Sequence, residues 1–280
     1  MGLEESISCC WRGASPFIGN SSSSLGIQDL KWIQRRSAAV DQFVRGGRVP
    51  IQLGIAHPSD MLSTASDLSG ALKGNVKMSD VEKTALVLIG FQNDYMDPEG
   101  ILQEAIEDTE GRNKMLQNVL KILDTVEDEP VVVIHTPIIF TENYEELVEP
   151  TGILKLIKDT GAFKQDCSGS ETIQEFDKYG NNIVVVPGKR GLNAFSNTNL
   201  QEILQKEGVT RVVLAGVVTS ICIDSAGRAA HDYGYKVTVL SDATCGRNSF
   251  EQQFYCENIF PLYADVCGTQ QFLESVGVSV

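Results

Sequence analysis

Long apolar runs and excess positive charge are both missing from this sequence. No run of 18 or more apolar residues occurs, so we expect no membrane-spanning helix. The start of the chain also lacks an apolar stretch long enough for the core of a secretory signal peptide. Its 37 acidic side chains outnumber its 23 Lys and Arg side chains, which gives a net charge of -14. Because nucleic-acid phosphates would be repelled, we expect no nucleic-acid partner.

Metal-binding and disulfide patterns are scarce as well. The seven cysteines are odd in number and show no C-x-x-C spacing, and the chain has three histidines with no Asp-x-His pair. A disulfide framework and a zinc site are therefore not expected, and we predict neither a metal nor a cofactor. A reducing, cytoplasmic setting fits this use of cysteine.

Composition divides the chain into three parts. Residues 1–25 form a predicted flexible tail rich in Gly, Ser and Pro, and residues 26–82 form a predicted helical extension. Within the extension, apolar residues recur at helical spacing over 29–44 and over 60–72. Residues 83–280 carry every motif with chemical content, and we predict that they form the functional domain.

The tail carries a candidate lipidation signal. Gly2 fits the myristoylation pattern, and Cys9 and Cys10 follow as candidate palmitoylation sites. Two acyl chains would attach the protein peripherally to a membrane. Against this, Glu4 and Glu5 would be repelled by an anionic leaflet, and so short a pattern also arises by chance. A cytoplasmic protein without lipid is therefore the alternative.

From residue 83 onward, short apolar runs alternate with helical segments. Runs of this kind are typical of strands buried on both faces, and their alternation with helices predicts right-handed crossovers. The sequence predicts an α/β fold with a doubly wound, mainly parallel six-stranded sheet. A ligand would bind at the carboxyl ends of its strands. The predicted strands cover 85–89, 131–134, 183–186, 212–215, 237–240 and 263–266, and the predicted helices cover 107–126, 199–207 and 221–233.

Two residues at that edge are candidates for a catalytic role. Cys222 lies just inside the helix that follows the fourth strand, where free backbone N–H groups and the helix dipole favour thiolate over thiol. Lys189 follows the third strand, and a nearby ammonium would stabilise that thiolate. On position alone, a small buried side chain and a solvated surface lysine are the alternative interpretations.

The motifs around these residues resemble those of the isochorismatase-like cysteine hydrolases. Residues 216–222 read Gly-Val-Val-Thr-Ser-Ile-Cys, similar to the family's Gly-Val-x-Thr-x-x-Cys nucleophile turn. Lys189 with the following Asn-Ala-Phe and Thr198 is similar to its Lys-x-x-x-Ser-Ala-Phe-x-x-Thr segment. Residues 91–95 resemble its Asp-x-Gln-Asn-Asp-Phe strand end, and residues 241–243 include the Asp-Ala that ends its fifth strand.

The resemblance implies a role for each matching residue. Cys222 would be the nucleophile, Lys189 its companion, and the peptide between Val217 and Val218 would be cis. The N–H groups of Val218 and Cys222 would form the oxyanion hole. We expect a small-molecule substrate and a homo-oligomer. The expected substrate pocket contains Gly90, His135, Asn193, Phe195 and Thr219.

One catalytic residue of the family is missing. Gly90 occupies the position of the aspartate that takes the thiol proton and later activates water. Asp94 is a candidate substitute acid. Four glutamates in segments that could overhang the pocket are further candidates: Glu99, Glu145, Glu146 and Glu149.

Three functions follow from these motifs. The leading hypothesis is a hydrolase that cleaves a small amide or ureide C–N bond through a Cys222 thioester. The alternative is a catalytically impaired binding or regulatory protein that kept the fold. An isochorismate-type vinyl-ether hydrolase comes last, because that reaction depends on an acid to protonate its substrate.

Overall fold

The computed structural model describes residues 82–278. The predicted tail, the helices at 29–44 and 60–72, and the candidate lipidation sites Gly2, Cys9 and Cys10 lie outside the described residues. Among residues 82–278, no helix combines the length and apolarity needed to cross a bilayer.

A single six-stranded sheet organises the described part of the chain. All strand pairs are parallel, and the strand order is β3-β2-β1-β4-β5-β6. The predicted six-stranded parallel sheet is therefore confirmed. The strands are β1 Thr84–Ile89, β2 Val131–His135, β3 Ile183–Val185, β4 Arg211–Val217, β5 Lys236–Cys245 and β6 Asp265–Cys267.

Helices and single helical turns connect the strands. The α-helices are α1 Asn93–Met96, α2 Thr109–Thr125, α3 Gly152–Thr160, α4 Leu200–Lys206, α5 Asp224–Asp232, α6 Ser249–Phe254 and α7 Thr269–Ser275. Turns of 3₁₀ type occur at Gln103–Ala105, Ser168–Ser170, Gln174–Asn182 and Phe260–Leu262, and π-turns at Thr219–Ile223 and Tyr255–Ile259.

Apolar side chains pack on both faces of the sheet, as the continuous apolar strands predict. On one face, α2 contributes Met115, Val119 and Ile122, which recur at helical spacing, and α7 contributes Phe272. Asp108 caps α2, because its carboxylate accepts a hydrogen bond from the N–H of Gly111 at 2.8 Å.

Helices α4 and α5 pack on the opposite face. They bury Leu200, Leu204, Ala226 and Ala230 in a second cluster of apolar side chains. With α2 and α7 on the first face, this makes the fold doubly wound. The chain leaves β1 toward β2 on one side and reaches β4 on the other, so the strand order reverses between β1 and β4. A ligand site is expected at the carboxyl ends of these two strands.

Candidate active site

Cys222 and Lys189 meet at this edge of the sheet. The Lys189 ammonium nitrogen lies 3.6 Å from the Cys222 sulfur, and it also donates a hydrogen bond to the carbonyl of Gly191 at 2.6 Å. Both side chains are buried, with 1% of Lys189 and 6% of Cys222 exposed. Because water screens a buried pair little, the ammonium is well placed to hold a thiolate.

The turn that carries Cys222 runs from β4 into α5. The peptide bond between Val217 and Val218 is cis, and residues Thr219–Ile223 then form a single π-turn. Within this turn, the N–H groups of Ile221 and Ile223 donate to the carbonyl of Val218 at 3.0 and 3.3 Å. Cys222 is therefore the second-last residue of the turn, and α5 begins two residues later at Asp224. The assignment of the N–H groups of Val218 and Cys222 to an oxyanion hole stays a prediction.

Two consecutive residues of α6 support this turn. The hydroxyl of Thr219 donates to the Gln252 side chain, whose nitrogen donates to the carbonyl of Ser241 at 2.9 Å and to the Thr244 hydroxyl at 3.0 Å. Thr219 is therefore tied through Gln252 to β5.

The neighbouring Glu251 pairs with Arg247 at 2.6 Å. Burial raises the pKa of the Glu251 carboxyl, but hydrogen bonds from Ser220 and Arg247 outweigh burial and lower it overall. Sequence reasoning missed Gln252 and Glu251, because no motif marks them and only the tertiary fold brings α6 against the turn.

A small closed cavity adjoins the Cys222–Lys189 pair. Its volume is about 10 Å³, which is room for about one water molecule. Its polar lining residues are Tyr95, Thr136, Lys189 and Cys222, and the rest of the lining is apolar. The remaining lining residues are Ile89, Gly90, Ile138, Ile153, Leu154, Ile157, Leu192, Val217 and Ile221.

Gly90 lines this cavity in a conformation that suits glycine. Its φ is +83°, in the left-handed region. A Cβ atom built on Gly90 would lie 2.6 Å from the Cγ2 and 2.9 Å from the carbonyl oxygen of Val217. The backbone at position 90 therefore leaves no room for a side chain.

Asp94 lies outside the cavity lining. Its carboxylate accepts hydrogen bonds from the N–H of Phe163 at 2.5 Å and from the N–H of Ile101 at 3.4 Å. Burial raises the pKa of the Asp94 carboxyl, and these two hydrogen bonds partly offset the rise. The contacts of Asp94 are those of a carboxylate that joins two loops.

The candidate glutamates also lie outside the lining, which contains no carboxylate. Glu146 pairs with Arg190, the residue next to Lys189 in the sequence, at 3.0 Å. Its carboxylate also accepts hydrogen bonds from the N–H and hydroxyl of Thr141.

Four of the five predicted pocket residues do not line the cavity. The Thr219 hydroxyl faces Gln252, the Asn193 side-chain oxygen accepts from the N–H of Phe195 at 2.9 Å, and the Phe195 ring packs on Tyr233 with 5.3 Å between ring centroids. His135 lies on the sheet face that α2 covers, beside a separate groove. Gly90 is the pocket residue that does line the cavity.

The His135 ring is buried completely. Its Nδ1 lies 3.4 Å from the Thr172 hydroxyl, and its Nε2 has no hydrogen-bond partner within the described part of the chain. Burial lowers the pKa of His135 to about 4, so the ring is neutral near pH 7. No group of three or more His, Cys, Asp or Glu side chains among residues 82–278 is arranged to hold a metal ion.

Tyr95 and Thr136 are the polar lining residues that sequence reasoning overlooked. Tyr95 is 4% exposed, and its ring packs on Phe163 at 5.0 Å between centroids. The signal for Tyr95 was present in the motif, because this position carries a phenol where the family's pattern has phenylalanine.

The fold and these motifs agree with comparisons to known proteins. A ureidoacrylate amidohydrolase (RutB) from Rhizobium rhizogenes is 25% identical over 207 residues, which cover 69% of this chain and 83% of the relative. Nicotinamidase 3 from Arabidopsis thaliana is 30% identical over 134 residues, which cover 48% of this chain and 65% of the relative.

A solved structure gives the same fold. The cysteine hydrolase from Pseudomonas syringae pv. phaseolicola has a TM-score of 0.61 and 20% identity, and the match covers 69% of this chain and 92% of that one. The family model of the isochorismatase domain matches residues 84–271, more than half of the sequence. The chain belongs to the isochorismatase family.

Proposed function

We propose that this protein is a cysteine hydrolase that cleaves the C–N bond of a small, uncharged amide or ureide through a thioester on Cys222. The observation that carries the proposal is the enclosed pair of Cys222 and Lys189, 3.6 Å apart beside a closed cavity. A buried thiolate held by an ammonium is an activated nucleophile for acyl transfer.

Each step of the proposed reaction uses groups at this cavity. The Cys222 thiolate attacks the carbonyl carbon and forms a C–S bond, and the N–H groups of Val218 and Cys222 receive the negative oxygen. The C–N bond then breaks, and the leaving nitrogen takes a proton from the Lys189 ammonium. Water attacks the thioester while the Lys189 amine takes its proton. The C–S bond breaks, a carboxylic acid leaves and the thiolate returns.

The substrate class rests on two lines of support. The ureidoacrylate amidohydrolase and the nicotinamidase are both amide hydrolases by name. The cavity walls are mostly aliphatic, and Lys189 is the one charged residue of the lining. Because Lys189 is already engaged by Cys222 and Gly191, the cavity offers a substrate carboxylate no free cation. An uncharged amide with a short apolar acyl group fits this lining.

A second candidate function is a binding or regulatory protein that kept the fold without catalysis. The cavity lining contains no carboxylate, and this observation favours it. A protein of this kind has no need of a reactive thiol, so thiol reactivity distinguishes the two functions.

The test is alkylation of Cys222 by iodoacetamide, followed by mass spectrometry of the labelled peptides. We expect Cys222 to react at least about tenfold faster near pH 7 than the other described cysteines. Burial raises the pKa of Cys245 to about 12 and that of Cys256 to about 11, so both thiols are slow internal references.

The Lys189→Ala variant should slow the labelling of Cys222 about tenfold or more, because the thiolate loses its ammonium. Lys206→Ala on α4, which removes an exposed lysine, is the matched control and should change nothing. Slow labelling of Cys222 that does not respond to the loss of Lys189 would favour the binding protein.

Two sequence predictions are not tested by the described residues. Homo-oligomerisation and peripheral membrane attachment through Gly2, Cys9 and Cys10 stay part of the proposal. A reducing, cytoplasmic setting would keep Cys222 as a free thiol.

A further inference from the structure

Two departures from the family's motif face the same cavity. Gly90 replaces the aspartate, and Tyr95 stands five residues later where the pattern has phenylalanine. Both residues line the closed cavity beside Cys222 and Lys189. The lining of this cavity therefore has a phenol and no carboxyl group.

The polar groups that line this cavity differ in whether they already have a hydrogen-bond partner in the protein. Lys189 donates to Gly191 and to Cys222, and the Thr136 hydroxyl lies 3.5 Å from the carbonyl of Leu88. The hydroxyl of Tyr95 forms no side-chain hydrogen bond with any residue between 82 and 278. Among residues 82–278, the buried side-chain atom without a partner is His135 Nε2 and not the Tyr95 hydroxyl, so this hydroxyl is accessible at the cavity and is an available donor.

The surroundings of Tyr95 keep this hydroxyl protonated. Burial raises the pKa of Tyr95 far above its ordinary value, and negative charge on Cys222 and Asp94 raises it further. At any physiological pH the phenol is therefore a hydrogen-bond donor and not a base. Tyr95 and Cys222 both line the cavity.

We propose that Tyr95 donates a hydrogen bond to the tetrahedral adduct that forms on Cys222. The role rests on the proposed function. When the sulfur bonds to the carbonyl carbon, the carbonyl electron pair moves to oxygen and creates a negative charge. Tyr95 keeps its proton and stabilises that charge, which the neutral substrate does not carry.

The test uses propionaldehyde, a short apolar aldehyde that adds reversibly to a reactive thiolate and gives a tetrahedral adduct. Protection of Cys222 against iodoacetamide reports the affinity for the aldehyde, and the rate without aldehyde reports the reactivity of the thiol. The Tyr95→Phe variant removes one oxygen and keeps the ring on Phe163.

We expect Tyr95→Phe to need about tenfold or more additional aldehyde for equal protection, since a hydrogen bond to a charged group is lost. The rate without aldehyde should stay within about twofold of wild type, because alkylation forms no such adduct. Tyr144→Phe is the matched control. It removes a buried hydroxyl that donates to Ala162 at 2.9 Å, away from the cavity, and should leave protection unchanged.

A conservative replacement keeps the proposal open to disproof if Tyr95→Phe fails to fold. Incorporation of 3-fluorotyrosine at position 95 retains the ring and supplies a more acidic hydroxyl, so protection should equal or exceed that of wild type. Weaker protection with 3-fluorotyrosine, or unchanged protection in Tyr95→Phe, would overturn the role of Tyr95 alone. Failure of the aldehyde to protect the wild-type protein would overturn the proposed function, and the role of Tyr95 with it.

Discussion

Gly90 occupies a position where the backbone itself requires glycine. Its left-handed φ and the 2.6 Å approach that a Cβ would make to Val217 mean that the strand end has no place for the family's aspartate. Restoring the carboxyl group in this protein therefore requires the backbone to change as well. The absence of a side chain at position 90 is therefore built into the backbone of the strand end.

We therefore predict that Gly90→Asp destabilises the protein and does not raise its rate of amide hydrolysis. The left-handed conformation alone costs a non-glycine residue about 1–3 kcal/mol, and the new carboxylate would be buried. Urea unfolding should show a free energy of unfolding lower by at least about 2 kcal/mol. Gly90→Ala should show most of the steric part of that loss.

Gly191→Ala provides the control, because a Cβ built on Gly191 meets no atom within 4 Å and its φ is ordinary. That variant should unfold within about 0.5 kcal/mol of wild type. A Gly90→Asp protein as stable as wild type would show that the strand end accepts a side chain after all.

At the scale of elements, the short helix α3 covers the cavity. It contributes Ile153, Leu154 and Ile157 to the lining. The first residue of α3, Gly152, has a φ of +56°, and Gly161, the residue after its last, has a φ of +80°. Ile157 is buried, whereas Ile153 and Leu154 are only partly so. Since the cavity has room for about one water molecule, a substrate must displace part of this cover.

Shortening a side chain of α3 should therefore widen access to Cys222. In Leu154→Ala we expect a bulky reagent, N-phenyl iodoacetamide, to label Cys222 about tenfold faster than in wild type. Labelling by iodoacetamide itself should change less than about threefold, because the small reagent needs less room. Mass spectrometry of the Cys222 peptide measures both rates.

Leu156→Ala is the matched control for α3. Leu156 is 44% exposed and does not line the cavity, so this truncation should alter neither rate. Equal acceleration of both reagents in Leu154→Ala would indicate general loosening of the fold instead of a wider entrance.

The elements also show what the sequence could and could not predict. Five strands of the sheet were readable because each contains a short apolar run, although β5 extends to Cys245, well beyond the predicted 237–240. The sixth, predicted over 263–266, is Asp265–Cys267 and has only one aliphatic residue. Helix α3 was not predicted, since the path of the loop before it depends on tertiary contacts. The nearness of Lys189 to Cys222 followed from the motifs, whereas the contact of Gln252 with Thr219, in the turn that carries Cys222, needed the fold.

At the scale of the whole molecule, one buried histidine links folding to pH. His135 ends β2 inside the sheet, and its fully buried ring faces Phe176, with 5.9 Å between ring centroids. Its position at a strand end marked it as a pocket residue in the sequence. The direction of its side chain depends on the register of β2 against β1, which places His135 opposite Leu88. The fold therefore directs this ring into the apolar side chains that pack between the sheet and α2.

We predict that this histidine makes the protein less stable in mild acid. Its pKa is about 4 when folded and ordinarily 6.5, so the unfolded chain binds its proton first as the pH falls. Stability is thus unaffected above about pH 7, falls progressively between about 6.5 and 4, and falls no further below that range. By about pH 5 the loss from His135 amounts to roughly 2 kcal/mol.

Urea unfolding near pH 7 and near pH 5 measures this loss in wild type and in His135→Asn, which cannot ionise. The fall in unfolding free energy between the two pH values should be smaller in the variant by about 2 kcal/mol. Carboxyl groups such as Asp94 titrate in both proteins and cancel in the comparison. His231→Gln, which replaces an exposed histidine of α5, should keep the full wild-type fall. An equal fall in wild type and His135→Asn would mean that protonation of another group controls acid sensitivity.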